Sequence, residues 1–157
     1  MALGVVAVLA GLAIGAIPAQ SQPGQRQTIT VLDLDKDDKG MQVDNNKKGF
    51  SKGDVFGFTS PLLDPDDRSK VGGLRAMCTA LTAARKPMVA VQLCDAEATF
   101  DEGKITFSGS LKFSRQSEGT TFVITGGTDQ YEGAAGAVEL VFQDNGALAT
   151  FDFVANS

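Results

Sequence analysis

In the stretch Val123-Ile124-Thr125-Gly126-Gly127-Thr128-Asp129-Gln130-Tyr131-Glu132-Gly133-Ala134-Ala135-Gly136, an apolar strand runs into paired glycines. A polar turn with the only tyrosine of the chain follows, and then two more glycines lead into a second strand. Glycine tolerates positive φ and close approach of the backbone, so four glycines within eleven residues predict a tight corner between two strands.

Strand signals recur at short intervals on both sides of this corner. The segment from Lys104 to Phe113 alternates cleanly between apolar and polar residues, which is typical of a half-buried strand. Charged or glycine- and proline-containing segments, 37–52 and 61–70, are predicted to be loops. The eight predicted strands span residues 28–35, 55–58, 71–82, 88–100, 104–113, 120–125, 137–142 and 147–153. Short strands with frequent turns indicate an all-β sandwich or barrel, and eight antiparallel strands can close around one small ligand.

The first 17 residues contain no charge and are followed by a segment with Pro18, Ala19 and Pro23. This pattern is typical of a secretory signal peptide, although a positively charged start is missing. A membrane anchor and an apolar lid helix over the domain are the alternatives. We therefore expect a segment 1–22 and a barrel domain 23–157. Export or membrane anchoring would place the protein outside the cytoplasm, whereas a retained lid would leave it cytoplasmic.

Composition excludes several classes of function. The net charge is −5 without a basic cluster, so nucleic acid is not an expected partner. The absence of histidine removes Ser-His-Asp triads and histidine-based zinc or haem sites. The acidic segments near residues 33–38 and 64–67 lack the spacing of a calcium-binding loop. The sequence predicts no metal and no cofactor.

Cys78 and Cys94 are each eight residues from Lys86. Lys86 belongs to the turn predicted for Ala84-Arg85-Lys86-Pro87. A hairpin centred there places the two cysteines directly opposite each other, within the range that a disulfide bridges. We predict a disulfide, and two buried free thiols on a barrel wall are the alternative.

The chain contains ten phenylalanines and no tryptophan, which predicts a dry, apolar interior suited to a hydrophobic small molecule. An ordinary packed core is the alternative. The predicted substrate-contacting residues are Val31, Phe56, Phe58, Phe107, Phe113, Phe122, Tyr131 and Phe151.

Two carboxyls are the predicted chemical groups of the interior. Asp33 and Asp35 share a strand face with Ile29 and Val31, so an inward face would place both acids in the cavity. Burial and a like-charged neighbour raise a carboxyl pKa, and a protonated acid can polarise a carbonyl or an epoxide. Exposure near the strand end is the alternative. Arg75 is predicted either to clamp a substrate oxygen or to pair with an acid outside the barrel.

Three segments carry a resemblance to a known family. Gly53-Asp54-Val55-Phe56-Gly57-Phe58-Thr59 resembles the second-strand signature of allene oxide cyclases and their bacterial barrel relatives. Val71-Gly72-Gly73-Leu74-Arg75-Ala76-Met77-Cys78 is similar to the strand that follows. The segment from Ile124 to Gly136 resembles the late glycine corner of the family, which dirigent proteins share in looser form. The ordered set covers about residues 28–154.

The resemblance implies an eight-stranded calycin-like barrel with a ligand cavity. In the plant cyclases a glutamate and an asparagine of the first strand project into that cavity, and Asp33 and Asp35 occupy the matching positions. Bacterial relatives include enzymes that fold polyenes for intramolecular [4+2] cycloaddition, and relatives are often dimers or trimers. We expect a cofactor-independent cyclase acting on a polyene polyketide or oxidised lipid. The alternative is a secreted, non-catalytic barrel that is dirigent-like or lipid-binding.

Overall fold

In the described part of the chain, nine antiparallel strands form one continuous sheet that curls round on itself. The structure is a computed structural model and describes residues 24–44, 51–83, 90–112 and 119–156. The strands are β1 (Arg26–Leu34), β2 (Lys39–Val43), β3 (Val55–Leu63), β4 (Lys70–Ala80), β5 (Val91–Phe100), β6 (Gly103–Lys112), β7 (Thr120–Gly127), β8 (Ala135–Gln143) and β9 (Gly146–Val154). Two short 3₁₀ turns, Asp35–Asp37 and Asp129–Tyr131, lie between β1 and β2 and between β7 and β8.

Eight of these strands close into a barrel, as the sequence predicted. The order β1-β9-β8-β7-β6-β5-β4-β3 follows the chain, apart from β1, and pairing of Leu32 with Leu63 joins β1 to β3. The prediction that residues 37–52 form a loop was wrong at β2. This strand pairs with the first half of β3 outside the ring, and all five of its residues are exposed. The strand has no buried face, and its alternation is limited to Met41-Gln42-Val43, which is too short to mark a strand in sequence.

The barrel interior is filled at one end and hollow at the other. Alternate residues of β6 point inwards, and Ile105, Phe107 and Leu111 are buried as their spacing predicted. A chain of edge-to-face aromatic contacts, each 5.5–6.0 Å between ring centres, runs along the axis. Its members in order are Phe153, Tyr131, Phe100, Phe151, Phe107 and Phe122. These rings fill one end of the barrel, and the last three of them, Phe151, Phe107 and Phe122, form the floor of a cavity at the other end.

The glycine corner seals the filled end. Gly133 adopts a φ of +69°, which favours glycine, where the chain turns towards β8. A Cβ on Gly127 would lie 2.3 Å from the carbonyl oxygen of Tyr131, so only glycine lets the corner fold back onto β7. Tyr131 is 5% exposed and packs on Phe100 and Phe153. The corner therefore acts as a plug.

The predicted apolar segment 1–22 lies outside the described residues, and the structure gives it no support. The predicted hairpin turn at 84–87 and Phe113 also lie outside them. Among the described residues, no helix has the length and apolar character needed to cross a membrane.

Candidate functional site

A cavity of about 120 Å³ opens at the end of the barrel opposite the glycine corner. The C-terminal end of β1, the start of β9 and the first half of β3 contribute to its wall, because these strand ends meet at this rim. Most of the wall is apolar, and the acids stand on one side of it. The lining residues are Asp33, Asp35, Asp38, Phe56, Phe58, Leu62, Leu74, Ala76, Cys78, Cys94, Ala96, Phe107, Leu111, Phe122, Leu140, Phe142, Gly146, Ala147, Ala149 and Phe151.

The volume of this cavity limits what fits inside. Pockets for drug-sized molecules typically measure about 300–1,000 Å³, whereas an engineered cavity of about 150 Å³ holds a benzene ring. The enclosed space therefore admits about one ring or a short chain segment. A larger ligand would leave its remainder in the mouth, between the half-buried rings of Phe56, Phe58 and Phe142.

Asp33 is the acid that reaches furthest into the wall. The Ser60 hydroxyl of β3 donates a hydrogen bond to Asp33 Oδ1, and Ser60 itself is buried. The Asp38 carboxyl interacts electrostatically with Asp33, because the 3₁₀ turn reverses the chain after β1 and brings residue 38 back to the rim. Two neighbouring carboxylates repel each other, which favours the protonated form of one of them. The site is thus a carboxyl pair oriented by a serine.

Burial is the main cause of the raised pKa of Asp33, and the hydrogen bond from Ser60 opposes it. The pKa of Asp38 rises to about 6, again chiefly through burial and next through the negative charge of Asp33. Asp35 and Asp37 add smaller repulsive contributions to the pKa of Asp33. A carboxyl with a pKa of about 6, as Asp38 has, is suited to donate or accept a proton under mild conditions.

The structure separates the two acids that the sequence placed on one face. Asp33 is half-buried on β1, but β1 ends at Leu34, and Asp35 begins the 3₁₀ turn with its side chain exposed at the rim. Both line the cavity, but so does Asp38, and the pKa of Asp38 is the one that the charge of Asp33 raises most clearly. Period-two alternation could not identify Asp38, because the turn between β1 and Asp38 interrupts it. Only the acidic run around residue 35 hinted at a further carboxyl.

Three other predicted site residues lie away from the cavity. The Arg75 side chain is 68% exposed on the outer surface, with its guanidinium 3.7 Å from Glu97, which Lys104 also approaches at 3.3 Å. Val31 is buried in the core next to the cavity floor but does not line the cavity. Tyr131 lies in the plug, where its hydroxyl is 3.4 Å from Glu102.

The predicted phenylalanines divide into two groups. Phe56 and Phe58, with ring centres 5.7 Å apart, stand at the mouth. Phe107, Phe122 and Phe151 form the cavity floor and are buried. Sequence reasoning missed Phe142 of β8, which completes the aromatic mouth.

A disulfide joins Cys78 of β4 to Cys94 of β5, which face each other in the strand register as their spacing predicted. Both cysteines are buried and line the cavity. The bridge therefore forms part of the cavity wall. Within the described ranges, no group of three or more acidic, cysteine or histidine side chains is arranged to hold a metal ion.

Comparisons with known proteins agree with this architecture. The model of the family described as "Allene oxide cyclase barrel like domain" matches residues 28–149. No curated protein matches the sequence significantly. Among solved structures, a pyocyanin demethylase superposes with a TM-score of 0.65 at 23% identity, covering 80% of this chain and 99% of its own.

Two further solved structures share the fold at low identity. The pterocarpan synthase dirigent protein PsPTS1 superposes with a TM-score of 0.65 at 14% identity, covering 87% of this chain and 99% of its own. The Diels-Alderase AbmU from Streptomyces koyangensis superposes with a TM-score of 0.63 at 16% identity, covering 85% of this chain and 70% of its own. At these identities the likeness concerns the fold.

Proposed function

The chain belongs to the allene oxide cyclase-like barrel family, and from this premise we propose that it is a cofactor-independent cyclase acting on a small unsaturated molecule. The single observation that carries the proposal is the Asp33–Asp38 carboxyl pair set in the wall of a mostly apolar cavity. Structural neighbours include Diels-Alderases and a dirigent protein, and both support a barrel of this type as a site for ring formation.

The cavity would contribute in two ways to an intramolecular [4+2] cycloaddition. Apolar walls hold a flexible chain in its reactive fold, which removes entropy from the barrier. The protonated member of the carboxyl pair donates a hydrogen bond to a carbonyl conjugated with the dienophile and draws electron density from it. Three π bonds become one π bond and two new carbon–carbon bonds, and no atom leaves. The proton returns to the pair unchanged.

A short linear trienone, with a conjugated diene tethered to an enone, tests the proposal. We expect the protein to accelerate its cyclisation and to favour one stereoisomer, measured by chiral chromatography of the products. Ala149→Leu adds bulk to the cavity wall and should abolish both effects. The matched control is Ala137→Leu. Ala137 lies on the same sheet, where it pairs with Asp152, and it does not line the cavity. Cyclisation at the uncatalysed rate with a racemic product would refute the proposal.

A non-catalytic, dirigent-like barrel is the second candidate function. The Cys78–Cys94 disulfide favours it, because such bonds persist in oxidising compartments, where an exported binding protein would act. We propose an extracytoplasmic location on the same ground. In this case the barrel would bind the trienone and bias the product of another reaction, so binding without acceleration distinguishes the two functions.

A further inference from the structure

The charge distribution around the cavity is one-sided. Three carboxyls, Asp33, Asp35 and Asp38, line it, and none of the described residues that line it is basic. Lys36, which follows Asp35 in the chain, pairs with Asp37, with its Nζ 3.1 Å from the carboxylate. A ligand that enters the cavity therefore meets negative charge without a compensating cation in the wall.

Aromatic rings stand at the same opening. Phe56, Phe58 and Phe142 line the mouth and remain half-buried, so their faces are partly available to a ligand. The face of an aromatic ring attracts cations and stacks with other rings. The acids favour a cation, and the aromatic faces favour a cation or an aromatic ring. The two features therefore both favour a cationic aromatic ligand, and they do so independently of each other.

Resting on the proposed binding function, we infer that the cavity selects its ligand by charge. It takes a compact aromatic ring most tightly when the ring is cationic, less tightly when it is neutral, and rejects the ring when it carries a carboxylate. The enclosed volume of about 120 Å³ holds one ring, so a charged substituent on a second ring lies in the mouth close to the acids. A long fatty acid could keep its carboxylate in solvent beyond the screening distance, which is why the inference concerns compact ligands.

Three bicyclic probes of nearly equal size test the inference: N-methylquinolinium, 2-naphthalenemethanol and 2-naphthoate. Their affinities for the full-length protein are measured by isothermal titration calorimetry at pH 7.5 in low salt. One charge at contact range near a protein surface changes affinity by about tenfold or more, so we expect the cation to bind at least about tenfold more tightly than the anion. High salt should compress this ratio, because exposed charges are screened.

Variants assign the effect to the carboxyl pair. The double variant Asp33→Asn/Asp38→Asn should lose most of the preference for the cation over the anion. Asp66→Asn, which removes an exposed acid of the β3–β4 loop, should keep the preference of the parent protein. The salt series uses the parent protein alone, so it decides the question even if the double variant does not fold.

The outcomes separate this inference from the proposed function. Binding of all three probes with equal affinity, or tightest binding of 2-naphthoate, would overturn the charge selection and leave the proposed function standing. Failure of all three probes to bind would overturn the proposed ligand-binding function and, with it, the inference. The order cation, neutral, anion, compressed by salt and retained in Asp66→Asn, would establish charge selection.

Discussion

At the scale of single residues, Asp33 joins the sequence to the proposed chemistry. Its position on β1 places it inward, Ser60 fixes one of its oxygens, and burial raises its pKa. Alternation along the strand put Asp33 on one face with Ile29 and Val31, but it left open whether that face points inward or is exposed near the strand end. Its partner Asp38 was beyond that reasoning, because a 3₁₀ turn, and not a strand, determines where residue 38 lies.

Asp33→Asn keeps the shape of the side chain but replaces the carboxyl with an amide, which cannot take up or release a proton. We expect the rate of trienone cyclisation to fall by about a hundredfold, a usual loss for a general acid, with a much smaller change in ligand affinity. In the parent protein the rate should decline as the pH rises through about 6, where Asp38 loses its proton. Initial rates from pH 4.5 to 8 measure both effects. An unaltered rate in Asp33→Asn would remove this residue from the mechanism.

The same pKa shifts predict how stability depends on pH. A carboxyl whose pKa is higher in the folded than in the unfolded state stabilises the fold below the unfolded value, about 3.9. That contribution is lost as the pH rises through the folded value, which is about 6 for Asp38. The pair should therefore lower the free energy of unfolding progressively between about pH 4 and pH 6.

Asp38→Asn isolates this effect from other titrating groups. At pH 7.5 the variant should be more stable than the parent by about 1 kcal/mol, a value discounted because Asp38 is partly exposed to solvent. At pH 4 the difference should vanish. Urea unfolding at both pH values measures it, with Asp66→Asn as the control. A variant that is less stable than the parent at pH 7.5 would show that the favourable interaction of the Asp38 carboxyl with Ser60 outweighs its repulsion from Asp33.

At the scale of elements, the glycine corner and β2 show what sequence patterns can and cannot predict. Glycines mark the corner because the backbone itself requires them, and this requirement is visible in the sequence. The opposed cysteines were predictable for a similar reason, since hairpin register follows from simple counting. Strand β2 was not predictable, because its pairing with β3 is formed by backbone groups while its side chains face solvent.

Gly127→Ala should disrupt the corner. The new Cβ would lie 2.3 Å from the Tyr131 carbonyl oxygen and 2.8 Å from that of Lys104, and neither backbone group can move freely. We expect a loss of about 2–4 kcal/mol in the free energy of unfolding, which is the range of strained core substitutions. Gly73→Ala on β4 is the matched control, since its nearest neighbour would be 3.9 Å away. Equal denaturation midpoints for the two variants would contradict the close approach.

At the scale of the whole molecule, the two ends of the barrel differ: one is closed by packed aromatic side chains, and the other contains the cavity. The sequence predicted a closed barrel with an aromatic interior, but composition alone could not show how much of that interior is filled. Packing of Phe100, Tyr131 and Phe153 closes one end, and this packing depends on contacts between residues far apart in the chain. The small cavity is what remains at the other end.

This division predicts that stability and ligand binding respond to different phenylalanines. Phe153→Ala empties a fully buried position of the plug and should cost about 3–5 kcal/mol of unfolding free energy. Its effect on the affinity for 2-naphthalenemethanol should stay small at temperatures where the variant is folded, because the ring does not line the cavity. Phe58→Ala removes a half-buried ring of the mouth and should weaken that affinity several-fold at a smaller cost in stability. Urea unfolding and calorimetric titration of both variants provide the comparison. If Phe153→Ala weakens binding as much as Phe58→Ala does, then the plug and the mouth are coupled, and the cavity depends on the packing of the whole barrel.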